Sequence, residues 1–265
     1  MMKAPGRSRT DTNAFRREHM NRPAMLTIFY AGDSTCQYNN IHTFPQTGIG
    51  QVLGLYLKNH VRIENHAKNG RSTKSFLEEG RLSPIRERIG AGDFLFIQFG
   101  HNDEKAEDPA RYTDPFGTYQ ENLSLFIKAA EEKDAHPVLI TPLARRWYEE
   151  DGSGNLRESA HTQYVRGMKE LGERMQVPVI DLFSKSRRLL QEAGPEETLH
   201  WYMQLPAGTY PAHPEGKEDN THLQYRGAVI YAGCIAEGLR ELGGIYADLV
   251  LPEGERETEN YWSDL

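Results

Sequence analysis

Leu26-Thr27-Ile28-Phe29-Tyr30 is a short, largely apolar run that stops at Ala31-Gly32-Asp33 and leads into Ser34-Thr35. A run of this length closed by Gly-Asp reads as a buried strand entering a loop. The chain then repeats the pattern. Ile49, Val52, Leu53, Tyr56 and Leu57 recur at helical spacing, and Val61–Asn65 alternates like a strand. Phe94–Phe99 is a second continuous apolar run, closed by Gly100, and Tyr119, Leu123, Ile127 and Ala130 mark a helix. Val138–Thr141 and Val177–Leu182 read as strands. Tyr164, Met168, Leu171 and Met175, and later Ala228, Ala232, Ile235 and Leu239, read as helix faces. Strands that are continuously apolar and alternate with helices predict an α/β fold with a parallel sheet buried on both faces.

The chain has 265 residues with 31 Lys plus Arg against 38 Asp plus Glu, a formal net charge of −7. It is long enough to bury a full core without staples. The acidic balance argues against nucleic acid or an anionic membrane as a partner, since both reward clustered Lys and Arg. No run approaches the roughly 18 apolar residues of a membrane span. Residues 1–24 carry six basic and two acidic residues with no apolar run, and read as a flexible extension outside the fold. Residues 25–250 are expected to form one domain, and 251–265 an acidic, solvated tail. The two cysteines, Cys36 and Cys234, make no disulfide framework, so a reducing cytoplasm is expected.

In open α/β sheets the chemistry lies at the carboxyl ends of the strands. Gly32-Asp33-Ser34-Thr35 follows the first strand, Asn69-Gly70-Arg71-Ser72 the second, and Gly100-His101-Asn102-Asp103 the third. Asp219-Asn220-Thr221-His222 precedes the last helix, where Asp-x-x-His has the composition of a helix N-cap. A serine hydroxyl needs a neighbouring imidazole to remove its proton, and the imidazole needs a carboxylate to hold its other nitrogen. Asp219 and His222, three apart, can face the same way at a turn or helix start. An acylation intermediate also needs convergent donors for its oxyanion. The Ser34 and Gly70 amides and the Asn102 side chain are of the right type.

These four blocks resemble those of the SGNH (GDSL-type) hydrolases. The Gly-Asp-Ser-Thr form, the Asn-Gly-Arg-Ser block and Phe-Gly-His-Asn-Asp are more similar to the rhamnogalacturonan acetylesterases than to the lipases of that superfamily. The resemblance covers about residues 25–245. It implies a flavodoxin-like three-layer α/β/α sandwich on a five-stranded parallel sheet, with no metal and no organic cofactor. It also implies ping-pong ester hydrolysis with Ser34 as nucleophile, His222 as base and Asp219 as its orienting acid. Ser34, Gly70 and Asn102 would form the oxyanion hole, and the substrate would be an acetylated, pectin-derived oligosaccharide. The secreted fungal members carry signal peptides and disulfides, which this sequence does not display, so a bacterial enzyme acting on imported oligosaccharides is expected.

Other residues leave choices. Cys36 is a packed neighbour or a rival nucleophile, and Glu218 competes with Asp219 as the acid, the family pattern favouring Asp219. His101 orders the loop under Asn102 or meets substrate. Arg71, Lys105, Arg145 and Arg146 follow strand ends and could pair with a uronate carboxylate. Trp147, Tyr148, Trp201 and Tyr202, in the long connections 145–160 and 199–217, either stack on sugar faces or pack beneath the loops. Two rival functions remain: a broad small-acyl esterase or thioesterase, and a catalytically silent carbohydrate-binding protein. Nothing in the sequence specifies an oligomer.

Overall fold

The computed structural model describes residues 25–159 and 161–255. The extension read at 1–24, and 256–265 of the acidic tail, lie outside the described residues. Five strands, β1 (Leu26–Gly32), β2 (Val61–Asn65), β3 (Phe94–Gln98), β4 (His136–Ile140) and β5 (Val179–Ile180), form one parallel sheet in the order β2-β1-β3-β4-β5. The helices in chain order are α1 (Ile49–Val52), α2 (Thr73–Glu78), α3 (Ser83–Arg88), α4 (Thr118–Glu131), α5 (His161–Met175), α6 (Leu182–Glu197), α7 (Tyr225–Leu242) and the short α8 (Gly244–Ala247). Among the described residues no helix is long and apolar enough to cross a membrane.

The continuous apolar strands have a simple cause. Along β1, Ile28 and Tyr30 enter one core with α1, α6 and α7, while Phe29 and Ala31 enter a second core with α2, α3, α4 and α5. In β3, Phe94 and Phe96 join the first core and Leu95 and Ile97 the second. Neither face can be polar, because strand side chains alternate and helices cover both sides. The expected three-layer α/β/α sandwich is therefore present. The chain runs from β1 to β2 on one side and returns to β3 on the other, so the order reverses at β1, where ligands bind in such sheets.

Several elements differ from the sequence reading. Ile49–Leu57 is not one helix but the single turn α1 followed by a 3-10 turn, Leu53–Tyr56. The last sheet strand is only Val179–Ile180, because Asp181 turns the chain into α6 by accepting a bond from the Ser184 amide (3.1 Å). The connection 199–217 is not structureless: β6 (Tyr202–Leu205) pairs antiparallel with β7 (Lys217–Leu223). Asp219 and His222 thus lie on a strand rather than at a helix start, and Gln224 holds the cap position of α7. The strand is hidden in the sequence because Lys217–His222 has no apolar residue to show a period of two.

The loop that carries Ser34 rests on the start of α1. The Ile49 amide donates to the Thr35 carbonyl (2.8 Å), and Gly48 approaches so closely that a Cβ there would lie 2.1 Å from the Gln37 carbonyl oxygen. Gly48→Ala is therefore expected to lower stability by about 1–3 kcal/mol, the usual cost of overpacking, and chemical denaturation would read it. An unchanged midpoint would show that residues 35–37 yield freely.

Candidate active site

The carboxyl ends of β1, β2 and β3 bring three loops together, and the β6–β7 hairpin supplies a fourth segment. Ser34 follows β1 directly and is 6 % exposed. His222 Nε2 lies 2.7 Å from Ser34 Oγ, and His222 Nδ1 lies 2.7 Å from Asp219 Oδ2. The Asp219 carboxylate is itself pinned, since Oδ1 accepts from the Thr221 and His222 amides, each at 2.9 Å. This turn fills an irregularity in the hairpin. Met203 faces Asp219 and Tyr202 faces Leu223, so residues 220–222 bulge out of the ladder, a local kink that aims His222 at Ser34. Burial opposes ionisation of Asp219, but the His222 and Thr221 bonds outweigh it and hold its carboxyl far below the usual range. Lys217 Nζ, two residues back on β7, adds a contact of 3.0 Å to Asp219 Oδ2. With Asp219 ionised on Nδ1, neutral His222 keeps its proton there and turns a lone pair toward the Ser34 hydroxyl.

Gly70 occupies a left-handed turn after β2 (φ 76°) that favours glycine. That turn is tied to the end of β1, since the Lys68 amide donates to the Gly32 carbonyl (2.9 Å). Asn102, in the turn after β3, donates from Nδ2 to the Arg71 carbonyl (3.1 Å), leaving its second amide hydrogen available. The Ser34 and Gly70 amides have no hydrogen-bond acceptor among the described residues. A serine–imidazole–carboxylate row of this kind is the arrangement that acyl transfer uses.

Residues 30–216 match the GDSL-like lipase/acylhydrolase family. The chain belongs to that family, and it is a carboxylic ester hydrolase. Rhamnogalacturonan acetylesterase RhgT of Bacillus subtilis (strain 168) is 44% identical over 239 residues, which is 89% of this chain and 98% of that protein. The probable rhamnogalacturonan acetylesterase YesY of the same strain is 39% identical over 226 residues, 85% of this chain and 98% of its own. The crystal structure of Bacillus subtilis protein YxiM superimposes with a TM-score of 0.66 at 27% identity, covering 82% of this chain and 57% of that one. A catalytic mutant of the acetylxylan esterase Axe2 from Geobacillus stearothermophilus gives 0.57 at 15% identity, covering 86% and 98%, and shares the fold.

The other residues singled out in this hydrolase scatter. Cys36 is wholly buried, and burial together with the Asp33 charge pushes its thiol well above the ordinary value. Glu218 faces Gln204 across the hairpin, one residue out of phase with Asp219. Arg71 is bound to Glu79 (2.9 Å) and to the Asn69 carbonyl (2.8 Å). Trp201 is buried against Tyr231, with Tyr202 bonded to the same tyrosine (3.0 Å), so these two pack beneath the loop and are not exposed platforms. Trp147 is 39 % exposed and lies under the Arg145 guanidinium (5.1 Å). His101 is buried beneath the Ser34 loop, 3.4 Å from Asp33 Oδ2 and edge-on to His161 (4.3 Å between ring centres).

A buried polar row escaped the sequence reading. Glu104 bonds His161 Nδ1 and Arg145 (2.7 Å), and Arg145 reaches the Thr221 hydroxyl inside the bulge of β7. Arg111 donates to Asn102 Oδ1 (3.2 Å) and Asp108 (2.5 Å). The position of Glu104 directly after Asp103 was a signal, while His161 and Arg111 are joined to the site only through tertiary contacts.

Burial works against the Glu104 charge, but the His161 bond and Arg145 hold its carboxyl down at about 2. Burial and neighbouring His101 push His161 down to about 4 although Glu104 favours its proton. The unfolded imidazole, at its ordinary 6.5, takes up a proton in a range where the folded one does not. Stability is therefore expected to fall as pH drops from about 6.5 toward about 4, and to fall less steeply in His161→Phe. Parallel denaturation curves of the two proteins across this window would remove His161 as the cause.

Proposed function

We propose that this hydrolase removes acetyl groups from a pectin-derived oligosaccharide of the rhamnogalacturonan type through an acyl-enzyme on Ser34. The 2.7 Å contact between Ser34 Oγ and His222 Nε2, with Asp219 on the far nitrogen, carries the chemistry. The substrate class is supported by relatives that bear that name across nearly their whole length.

In this reading His222 Nε2 takes the Ser34 proton as Oγ attacks the acetyl carbonyl. The negative charge that develops on the carbonyl oxygen faces the Ser34 and Gly70 amides and the free Asn102 N–H. Asp219 stabilises the imidazolium without taking its proton. Collapse breaks the bond to the sugar oxygen, which leaves as a hydroxyl carrying the proton from His222. Water then enters, His222 takes its proton, and attack on the acetyl-enzyme returns acetate and free Ser34. Cys36 and Cys234 are both buried free thiols, which supports work in a reducing compartment on oligosaccharides already inside the cell.

Arg111 has a part in this scheme. By bonding Asn102 Oδ1 it fixes which way the amide faces, and its charge polarises the opposite N–H. Arg111→Met is expected to lower kcat with KM little changed, by less than the roughly 10²–10³ for Asn102→Ala. Placed on top of Asn102→Ala it should add nothing, because the two act as a unit. Additive losses would mean that Arg111 acts elsewhere.

The reading as a whole is tested by acetate release from acetylated rhamnogalacturonan, acetylated xylan and acetyl-CoA. The highest kcat/KM is expected on the first, with Ser34→Ala reducing turnover by about 10⁴-fold or more. A preference for xylan or the thioester would replace the substrate class and leave the chemistry standing. Near-native turnover by Ser34→Ala would remove the chemistry.

A further inference from the structure

The two residues that separate Asp219 from His222 are held from outside their own strand. Asn220 and Thr221 bulge out of the β6–β7 ladder, and β7 is part-exposed along most of its length. The Arg146 amide donates to the Asn220 carbonyl (2.9 Å), and the Asn220 side-chain oxygen accepts from Gln204 (2.8 Å) and from the Arg146 guanidinium (3.3 Å). Arg145 Nη1 donates to the Thr221 hydroxyl oxygen. Two consecutive arginines thus hold the bulge at both of its residues.

The segment that holds it is itself fixed. The Ala144 amide donates to Ser186 in α6 (3.0 Å), and the Ala144 carbonyl accepts from the Tyr202 hydroxyl (2.7 Å). Arg145 then reaches in two directions. While Nη1 serves Thr221, Nη2 donates to Glu104 (2.7 Å), whose own amide donates to the Gly100 carbonyl (3.2 Å) and closes the turn that carries Asn102. The other Glu104 carboxylate oxygen bonds His161 at the start of α5. The Arg145 and Glu104 side chains are 13 % and 10 % exposed, and Trp147 covers the guanidinium at 5.1 Å. The charge of Arg145 is spent on Glu104 and not offered to a uronate carboxylate. A planar guanidinium with fixed N–H directions acts as a rigid spacer, which an ammonium on a flexible stem does not.

We infer that Arg145 is a positioning residue: by joining Thr221 to Glu104 it holds the His222 base in register with the turn that carries Asn102. The inference rests on the acyl chemistry proposed above, in which base and oxyanion donor act on the same carbonyl group. The need for such a spacer follows from the topology. Ser34 and Asn102 follow strands of the five-stranded sheet, whereas His222 lies in the separate two-stranded sheet β6–β7. Strand order therefore does not set where His222 stands. On its far side the Leu223 carbonyl accepts from the Thr47 amide (2.9 Å), which anchors that end to the loop after Ser34. The bulge end is left to Arg145 and Arg146. A misplacement of about 1 Å at a reacting centre can cost about 10²-fold in rate, so the spacer acts on kcat and not on substrate binding.

The test measures kcat and KM for p-nitrophenyl acetate, whose hydrolysis needs the acyl site and no particular sugar. Active sites are counted by the p-nitrophenol that diethyl p-nitrophenyl phosphate releases on Ser34. Thr221→Val removes the acceptor, keeps the size of the side chain and leaves the Arg145–Glu104 pair in place. It is expected to lower kcat per counted site by about tenfold, with KM and thermal midpoint little changed. Arg145→Lys keeps a partner for Glu104 but cannot serve both groups, and should lose about as much. The two changes together should lose no more than either alone. Arg145→Met should also lower the thermal midpoint, because it leaves Glu104 buried without that partner. Unchanged kcat per counted site in Thr221→Val and Arg145→Lys, even with a lower thermal midpoint, overturns the inference and makes the row purely structural. A rise in KM at constant kcat overturns it too, and places Arg145 on the substrate. In both cases wild type still titrates and turns over, so the functional reading stands. A wild type that neither reacts with the phosphate triester nor hydrolyses the acetate overturns the functional reading, and the inference with it.

Discussion

The parallel pairing of β1 between β2 and β3 is the constraint on which the site depends. β1 is hydrogen-bonded on both sides, with Phe29 facing Glu64 in β2 and Leu95 in β3. Both of its faces are covered by helices, so the strand cannot slide by one residue without exchanging two apolar cores. The loops after these three adjacent strands begin at neighbouring points and run out of the sheet on the same side. The segments that carry Ser34, Gly70 and Asn102 are therefore tied together at one edge of the sheet, by the Lys68 amide on the Gly32 carbonyl and the Asn102 side chain on the Arg71 carbonyl, although 68 residues separate the first from the last. The crossover at β1 opens the crevice between these loops, and the hairpin closes it with His222.

Polar groups are buried under this crevice at some cost to stability. Asp33 is fully buried, with Oδ1 taken by the Thr35 amide (2.9 Å) and hydroxyl (2.7 Å), while Oδ2 faces His101 without a well-formed hydrogen bond. Both ring nitrogens of His101 and Nε2 of His161 likewise have no hydrogen-bond partner among the described residues. Asp103 is also buried. Burial pushes its carboxyl up to about 7 although Thr73 and Thr113 donate to it. The cores above and below the sheet are apolar, whereas Asp33, His101 and His161 lie in or beside the loops at the carboxyl ends of the strands. The Arg145–Glu104–His161 row illustrates the gain: it links the turn after β3, the start of α5 and the bulge in β7.

Much of the fold was legible because it rests on short-range signals. Continuous apolar runs of about five residues identify strands buried on both faces, and helix faces show at spacings of three and four. Where the reading failed, local chemistry had competed with periodicity. Asp181 ended a strand by capping a helix, and the all-polar stretch Lys217–His222 gave no alternation because its strand carries the site and does not line the core. Ser34, Gly70, Asn102, Asp219 and His222 could be singled out because acyl transfer calls for those residue types and each stands in a recognisable block, and the structure joins Ser34, His222 and Asp219 in one hydrogen-bonded row. Arg111, Lys217 and His161 could not be. Arg111 touches Asn102 and Lys217 touches Asp219, while His161 is linked to β7 through Glu104 and Arg145, and an arginine on a loop carries no mark of what its guanidinium meets.

The sequence by itself determined the parallel α/β class, the family and a set of residues of the types acyl transfer uses, since these depend on composition and spacing within a few residues of one another. Only the tertiary structure decided which of these groups are within reach. It distinguished Asp219 from Glu218 by the phase of a strand, since neighbouring strand residues point to opposite faces and the bulge turns only Asp219 toward His222. It also buried Trp201 while leaving Trp147 exposed, and spent Arg71, Arg145 and Arg146 on internal partners. The physical reason is the same in each case. Hydrogen bonds and ion pairs extend only a few ångströms, and distances on that scale between residues far apart in the chain are set by packing alone.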